Sequence, residues 1–279
     1  MATDQLWQGP TEVGGDFEDG LRELALRVAR EAATLIRERR RAGVRVADTK
    51  TSATDIVTEA DRASEELIRT RLLAARPEDG FLGEEGSDVA GTSGVRWVVD
   101  PIDGTVNYLY ATPEYAVSIA AEVDGVAVAG VVINAASGEE FSAVRGGGAR
   151  CDDEPIGVRP AVAPEFAVIR TGFNYEPAVR SRQAASVAAL VTRVADIRRF
   201  GSCALDLCAV AMGRADGYVE EGCKPWDYAA GALIAAEAGA RVELLTGASG
   251  RALVVAAPAP GYETFESVVR ACGFLADPA

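Results

Sequence analysis

Asp100-Pro101-Ile102-Asp103-Gly104-Thr105 follows the apolar run Trp97-Val98-Val99 without a break, so a strand runs straight into two carboxylates that flank a proline. Asp, Pro and Gly are the usual formers of a β-turn, and a turn is one reading of the segment. A turn does not need two aspartates, however. The same arrangement can aim both carboxylates and the Ile102 carbonyl at one point, which is the oxygen-rich surrounding a hard divalent cation takes. Two further acidic clusters sit where an element ends or begins. Upstream, Gly83-Glu84-Glu85-Gly86 closes the pair Phe81-Leu82, and taken alone it reads as a solvated loop. Downstream, Lys224-Pro225-Trp226-Asp227 precedes Ala229-Ala230-Gly231. There Asp227 reads as an N-terminal helix residue favoured by the dipole, on a helix whose small face allows close packing.

The flanking sequence alternates between two periodicities. Leu21, Leu24, Val28, Ala32, Leu35 and Ile36 recur at helical spacing and predict a helix over 17–41, with basic residues crowding its end. A second helix is expected from Thr58, with Leu67, Leu72 and Leu73 on one face and a stop before Pro77. Strands are expected at 96–99, 115–123, 126–133 and 140–144, with Asp124-Gly125 as a hairpin turn between two of them. Gly146, Gly147 and Gly148 read as a flexible turn ahead of a polar stretch over 151–155. The second half predicts a strand at 166–170, helices over 183–194 and 204–212, a strand at 217–220, a helix over 227–238, strands at 241–245 and 252–257, and a last helix from Tyr262. No βα unit repeats, so the pattern predicts layered α+β or mixed α/β rather than a barrel.

Composition narrows the chemistry. The 279 residues hold 42 acidic and 28 basic side chains, a formal charge of −14, which argues against a domain that grips nucleic-acid phosphates. No apolar run reaches the roughly 20 residues of a bilayer span, and residues 1–7 lack the pattern of a secretory signal, so a cytoplasmic protein without membrane or nucleic-acid partners is expected. Five cysteines without CxxC spacing suit neither a disulfide framework nor a thiolate zinc site. The chain has no histidine, which removes a His-based triad and imidazole proton transfer. Chemistry must run on carboxylates, hydroxyls, lysine or a bound metal.

Taken together, the three acidic clusters resemble the inositol monophosphatase family, in which a GEE loop, a DPIDGT segment and a WD-x-A-A-G segment surround magnesium ions. All three are present, in the family's order, and the similarity runs from about Leu21 to the last helix. The resemblance implies a layered αβαβα sandwich of the inositol monophosphatase and fructose-1,6-bisphosphatase type, with a leader over 1–16, an N-terminal α+β part over 17–155 and a C-terminal α/β part over 156–279. It implies two or three Mg2+ ions held by Glu84, Asp100, Asp103, Asp227 and the Ile102 carbonyl. The backbone N–H groups of Gly104 and Thr105 would face the substrate phosphate, and Glu84 and Thr105 would position the attacking water. Asp55 and Asp61 match a D-x-V-T-x-x-D pattern, in which Asp61 orients the Thr105 hydroxyl; capping of the second helix by Thr58 and Asp61 is an equally good local reading. Gly201, Ser202, Cys203, Glu220 and Asp227 would meet the rest of the substrate. In the family the acid matching Glu220 accepts hydrogen bonds from the substrate's hydroxyls, which implies Glu220 as the inward residue; alternation along a strand would then send its neighbour Glu221 to solvent. Cys203 and Cys223 read as packing residues.

The implied reaction is hydrolysis of a phosphate monoester, with inositol 1-phosphate foremost. Relatives that cleave histidinol phosphate, fructose 1,6-bisphosphate, phosphoadenosine nucleotides or aminocyclitol phosphates are the alternatives within the class, and a silent metal- or partner-binding relative is the alternative outside it. Lithium sensitivity and a homodimer complete the implied picture.

Overall fold

The computed structural model describes residues 15–49 and 56–276. Most of the leader and Asp55 lie outside the described residues. Helix α1 (Asp16–Ala42) carries Asp16, Glu18 and Asp19 in its first turn and Arg39, Arg40 and Arg41 in its last, matching the dipole at both ends. A hairpin of β1 (Val46–Thr49) and β2 (Ile56–Thr58), which the sequence patterns did not predict, leads into α2 (Glu59–Ala75). Thr58 caps α2 by accepting from the Ala60 and Asp61 N–H groups, as the capping-box reading expected.

An eight-stranded sheet follows, built from β3 (Gly80–Gly83), β4 (Asp88–Val89), β5 (Val95–Asp103), β6 (Ala116–Val123), β7 (Val126–Asn134), β8 (Glu140–Val144), β9 (Gly148–Cys151) and β10 (Glu154–Ile156), with α3 (Thr105–Tyr110) between β5 and β6. Its order is β10-β9-β8-β7-β6-β5-β3-β4, antiparallel except for the β3–β5 pair. Asp124 and Gly125 both have positive φ, 51° and 78°, as a two-residue hairpin turn requires. The polar stretch over 151–155, for which no strand was expected, lies in a further hairpin: Asp152 and Asp153 take positive φ and let β9 pair with β10.

The second sheet has β12 (Asp196–Arg198), β11 (Val168–Thr171), β13 (Gly217–Glu221), β15 (Ala252–Pro258) and β14 (Ala240–Thr246) in the order β12-β11-β13-β15-β14. Helix α4 (Pro177–Leu190) starts six residues ahead of the expected position because Pro177 supplies the fixed φ of a first helical residue. Helices α5 (Cys203–Ala211), α6 (Pro225–Glu237) and α7 (Tyr262–Ala271) match their patterns.

Alternation along β5 explains the layering. Trp97 and Val99 face α1 and α2 in one core, whereas Val98 faces α5 and α6 in another. The far side of α5 and α6 meets Tyr218, Val242, Val254 and Ala256 of the second sheet, whose outer face is covered by α4 and α7. The result is the αβαβα sandwich that the resemblance implied. Small residues let the middle helices come close: a Cβ on Gly231 would stand 3.1 Å from the Ala204 carbonyl oxygen, and one on Gly130 would stand 3.0 Å from that of Ala230. No helix among the described residues is long and apolar enough to cross a membrane.

Candidate active site

Strand register brings the first two acidic clusters together. Gly83 pairs with Val99 in the parallel β3–β5 ladder, and the Glu84 N–H donates to the Val99 carbonyl at 3.2 Å. Glu84 and Asp100 therefore leave adjacent strands at the same level. A bulge then brings in Asp103. Asp100 pairs with Ser118 and Asp103 with Ala116, so three steps on β5 face two on β6. Residues three apart in a regular strand point to opposite faces; the extra residue removes that mismatch and turns both aspartates toward one cavity. Pro101 suits the bulge, having no N–H to leave unpaired. The segment first read as a turn after a strand is thus the bulged end of β5 itself.

Gly104 stops the strand with φ +94°, and a Cβ there would come 2.8 Å from the Glu114 carbonyl oxygen, so glycine is required. Thr105 opens α3, and its hydroxyl lies 3.0 Å from Asp61 Oδ1 and 3.1 Å from the Ile102 carbonyl oxygen. Asp61 divides its carboxylate between both expected roles. Oδ2 accepts from the Thr58 N–H at 2.9 Å and from the Thr58 hydroxyl, while Oδ1 faces Thr105. Complete burial pushes Asp61 up to about 7, against the pull of the Thr58 hydrogen bonds.

The C-terminal half closes the cavity. Asp227, on the first turn of α6, is half-buried and accepts from the Lys224 N–H at 2.7 Å. Asp103 Oδ2 accepts from the Ser202 hydroxyl and the Ala204 N–H, both at 2.7 Å, at the start of α5. Glu220 Oε2 accepts from the Tyr218 hydroxyl at 2.9 Å. A cavity of about 130 Å³ is lined by Glu84, Asp100, Ile102, Asp103, Gly104, Thr105, Gly201, Cys203, Glu220 and Asp227, together with Phe173, Asn174, Tyr175 and Arg199.

Two expectations need correction. Ser202, expected beside the substrate, is buried and turned to Asp103, so its hydroxyl stands behind a carboxylate rather than in the cavity wall. Glu221, expected in solvent, is buried and accepts from the Ser249 N–H at 2.7 Å, because the turn at 247–251 folds back over its side of β13. The sequence patterns also missed Tyr218, although two-residue spacing from Glu220 places both on one face of β13. Nothing local marked Arg199 or 173–175, which arrive from loops. All five cysteines are free and buried, and burial raises the Cys203 thiol well above its usual range.

The electrostatics are those of crowded like charges. Burial raises Asp100 far above the carboxylate range, and the charges of Glu84, Asp103 and Asp227 add to it. Burial raises Asp227 similarly, with Glu84 and Asp103 adding to it. Asp103 is pushed up to about 7, mainly by burial. Among the described residues no group of three acidic or thiol side chains stands in a ready-made metal-holding arrangement. The donor chemistry nonetheless fits a hard cation. Asp103 and Asp227 each accept from neutral N–H or O–H groups at one oxygen, and Asp100 accepts from the Ile102 N–H and shares a hydrogen bond with the Glu84 carboxyl. Among the described residues no basic side chain pairs with these aspartates, which face the cavity together with the Ile102 carbonyl.

Residues 18–272 match the model of the inositol monophosphatase family. The chain belongs to the inositol monophosphatase family. It is 48% identical over 263 residues, 86% of this chain and 90% of the relative, to the inositol-1-monophosphatase SuhB of Mycobacterium tuberculosis. It is 38% identical over 221 residues, 78% of this chain and 83% of the relative, to a protein of Vibrio cholerae named Nus factor SuhB. Among solved structures, Mycobacterium tuberculosis SuhB superposes with a TM-score of 0.80 at 43% identity, covering 92% of this chain and 98% of that one. Family membership accounts for why the GEE, DPIDGT and WD-x-A-A-G segments, far apart in sequence, meet at one cavity.

Proposed function

We propose that the protein is a Mg2+-dependent phosphate monoester hydrolase whose first substrate is inositol 1-phosphate. The observation that carries the reading is the convergence of Glu84, Asp100, Asp103, Asp227 and the Ile102 carbonyl on one cavity floored by the Gly104–Thr105 turn. Two or three magnesium ions would be held by these five residues, and when bound would neutralise the phosphoryl oxygens, lower the pKa of water and stabilise the departing alkoxide. Gly104 and Thr105 present backbone N–H groups at the start of α3 to the phosphate. Thr105 and Glu84 orient the water that attacks, and Asp61 fixes the Thr105 hydroxyl from behind. Ser202 and the Ala204 N–H fix Asp103 in the same manner. Glu220, held by Tyr218, accepts hydrogen bonds from substrate hydroxyls, with Gly201 and Cys203 beside it. Residues 17–155 supply most cation ligands, and residues 156–279 add Asp227 and the recognition wall. A cytoplasmic homodimer belongs to the same proposal.

Phosphate release from inositol 1-phosphate, measured with magnesium and with EDTA, tests the reading. Turnover should require magnesium, and full turnover in EDTA would overturn it. A second reading is a catalytically silent relative that binds a metal or a partner, and the Vibrio relative, named Nus factor SuhB, carries a name that is not a phosphatase's. The complete set of carboxylates with Thr105 favours catalysis, since binding alone has no use for it.

A further inference from the structure

Helix α2 turns a polar side into the interior. Asp61, Ser64 and Glu65 stand at i, i+3 and i+4, on one side of the helix, and all three are buried. Ile68 and Leu72 continue that side as ordinary core. Burying a carboxylate or a hydroxyl costs free energy unless hydrogen bonds satisfy it, so each of the three needs a partner. Each partner belongs to the site. Asp61 meets the Thr105 hydroxyl. The Ser64 hydroxyl donates to the Pro101 carbonyl at 3.2 Å, on the bulge between Asp100 and Asp103. Glu65 accepts from the Glu85 N–H at 2.7 Å with Oε2 and from the Ser87 N–H at 3.2 Å with Oε1. Among the described residues no salt bridge reaches Glu65, so its carboxylate serves the loop over 83–87.

That loop carries Glu84. Its Gly83 N–H donates to the Ser87 carbonyl at 2.7 Å and its Glu84 N–H to the Val99 carbonyl at 3.2 Å, and Glu65 holds the N–H groups of Glu85 and Ser87. Gly83 leaves the carboxylate room, since an added Cβ there would stand 2.2 Å from Glu65 Oε2. The charge of Glu84 bears on Asp100, and with no cation between them that repulsion pushes the loop outward. A clamp behind the loop opposes the push. Resting on the phosphatase reading above, we propose that Glu65 is a positioning residue: it clamps the loop over 83–87 so that Glu84 stays beside Asp100 before a cation arrives, and it thereby sets how much magnesium the site needs. An unclamped loop must be ordered by the cation itself, which lowers the apparent affinity by the fraction of chains already in place.

The test uses the full chain and Glu65→Gln, which keeps the size but sets an NH2 group against one of two N–H donors. The rise in melting temperature on titrating magnesium should need about tenfold or more magnesium in the variant, the scale of one hydrogen bond to a charged group. Half-maximal turnover of inositol 1-phosphate should shift in parallel. At saturating magnesium kcat should recover to within a few-fold and KM should hold, because Glu65 does not line the cavity. Glu65→Asp, which keeps the charge but draws both oxygens back by one carbon, should fall between. In EDTA the Glu85 and Ser87 amides of the wild type should resist hydrogen exchange as well as that of Glu84 does. A lower melting temperature in Glu65→Gln with an unchanged magnesium requirement would make the residue structural only and overturn the proposal. Fast exchange of Glu85 and Ser87 in the wild type would overturn it too, and that measurement decides even where the variant fails to fold. If magnesium leaves the wild-type melting temperature unmoved, the phosphatase reading falls and the proposal with it; a wild-type response that Glu65→Gln leaves unaltered removes the proposal alone.

Discussion

Without metal, the protein should lose stability as pH rises from 5 to 7.5, and magnesium should restore more at the upper end than at the lower. Asp61 and Asp103 are each held up to about 7 in the folded chain, chiefly by burial, whereas an unfolded aspartate titrates near 4. The folded form then binds protons that the unfolded form has released. The resulting stabilisation is complete below about pH 4 and disappears as pH climbs through about 7. Across the chosen window one such group withdraws roughly 2 to 3 kcal/mol at about 1.4 kcal/mol per pH unit, and the coupled carboxylates around Asp100 share rather than multiply that figure. At roughly 2–4 °C per kcal/mol for a chain of this size, the melting temperature in EDTA should fall by about 5–10 °C. The chain contains no histidine, so no imidazole titrates in the window to confuse the result. Scanning calorimetry in EDTA at several pH values makes the measurement, and Asp103→Asn should flatten the slope. A melting temperature that stays level or rises with pH in EDTA would refute the argument that burial and like charge hold these carboxyls protonated.

Asp100→Asn and Asp227→Asn each remove one negative charge while keeping shape, so turnover should fall by more than about a hundredfold as the melting temperature in EDTA holds or rises. Glu220→Gln should lower kcat/KM for inositol 1-phosphate more than for an aryl phosphate, which has no ring hydroxyls to lose; equal losses would return Glu220 to a structural role. Gly172→Ala should copy that selective loss, because its Cβ would stand 1.9 Å from Glu220 Oε2 and push the carboxylate aside. Lithium should inhibit uncompetitively with substrate, and resistance at high lithium in steady-state assays would count against the inositol branch while leaving phosphatase chemistry standing.

What was legible in the sequence follows the range over which each feature is decided. Helices α1, α2, α6 and α7 were readable because an apolar face, a cap or a proline is encoded within a few turns. Helix α3 was not, since six residues give periodicity no room and its start is set by the Gly104 turn. The β9–β10 hairpin hid behind acidic residues because Asp152 and Asp153 take the left-handed conformation usually left to glycine or asparagine. At the cavity, the motif positions were legible as a resemblance, but their supports were not. Alternation placed Glu220 and Glu221 on opposite faces, yet could not reveal that the 247–251 turn would bury the second of them.

Asp61 shows why two local readings need not compete. A helix cap uses one carboxylate oxygen, and orienting a hydroxyl uses another; an aspartate has both. The Thr58 cap fixes Oδ2 from the α2 side, and this leaves Oδ1 aimed across at Thr105. The Thr105 hydroxyl has one proton and two acceptors in reach, Asp61 Oδ1 and the Ile102 carbonyl oxygen. A cation held by that carbonyl would compete with the proton for the same lone pairs and would leave Asp61 the better acceptor of the Thr105 hydroxyl. The feature that stabilises the helix is therefore the one that aims the hydroxyl, and a variant that spares the cap but loses Oδ1 would separate what the fold has joined.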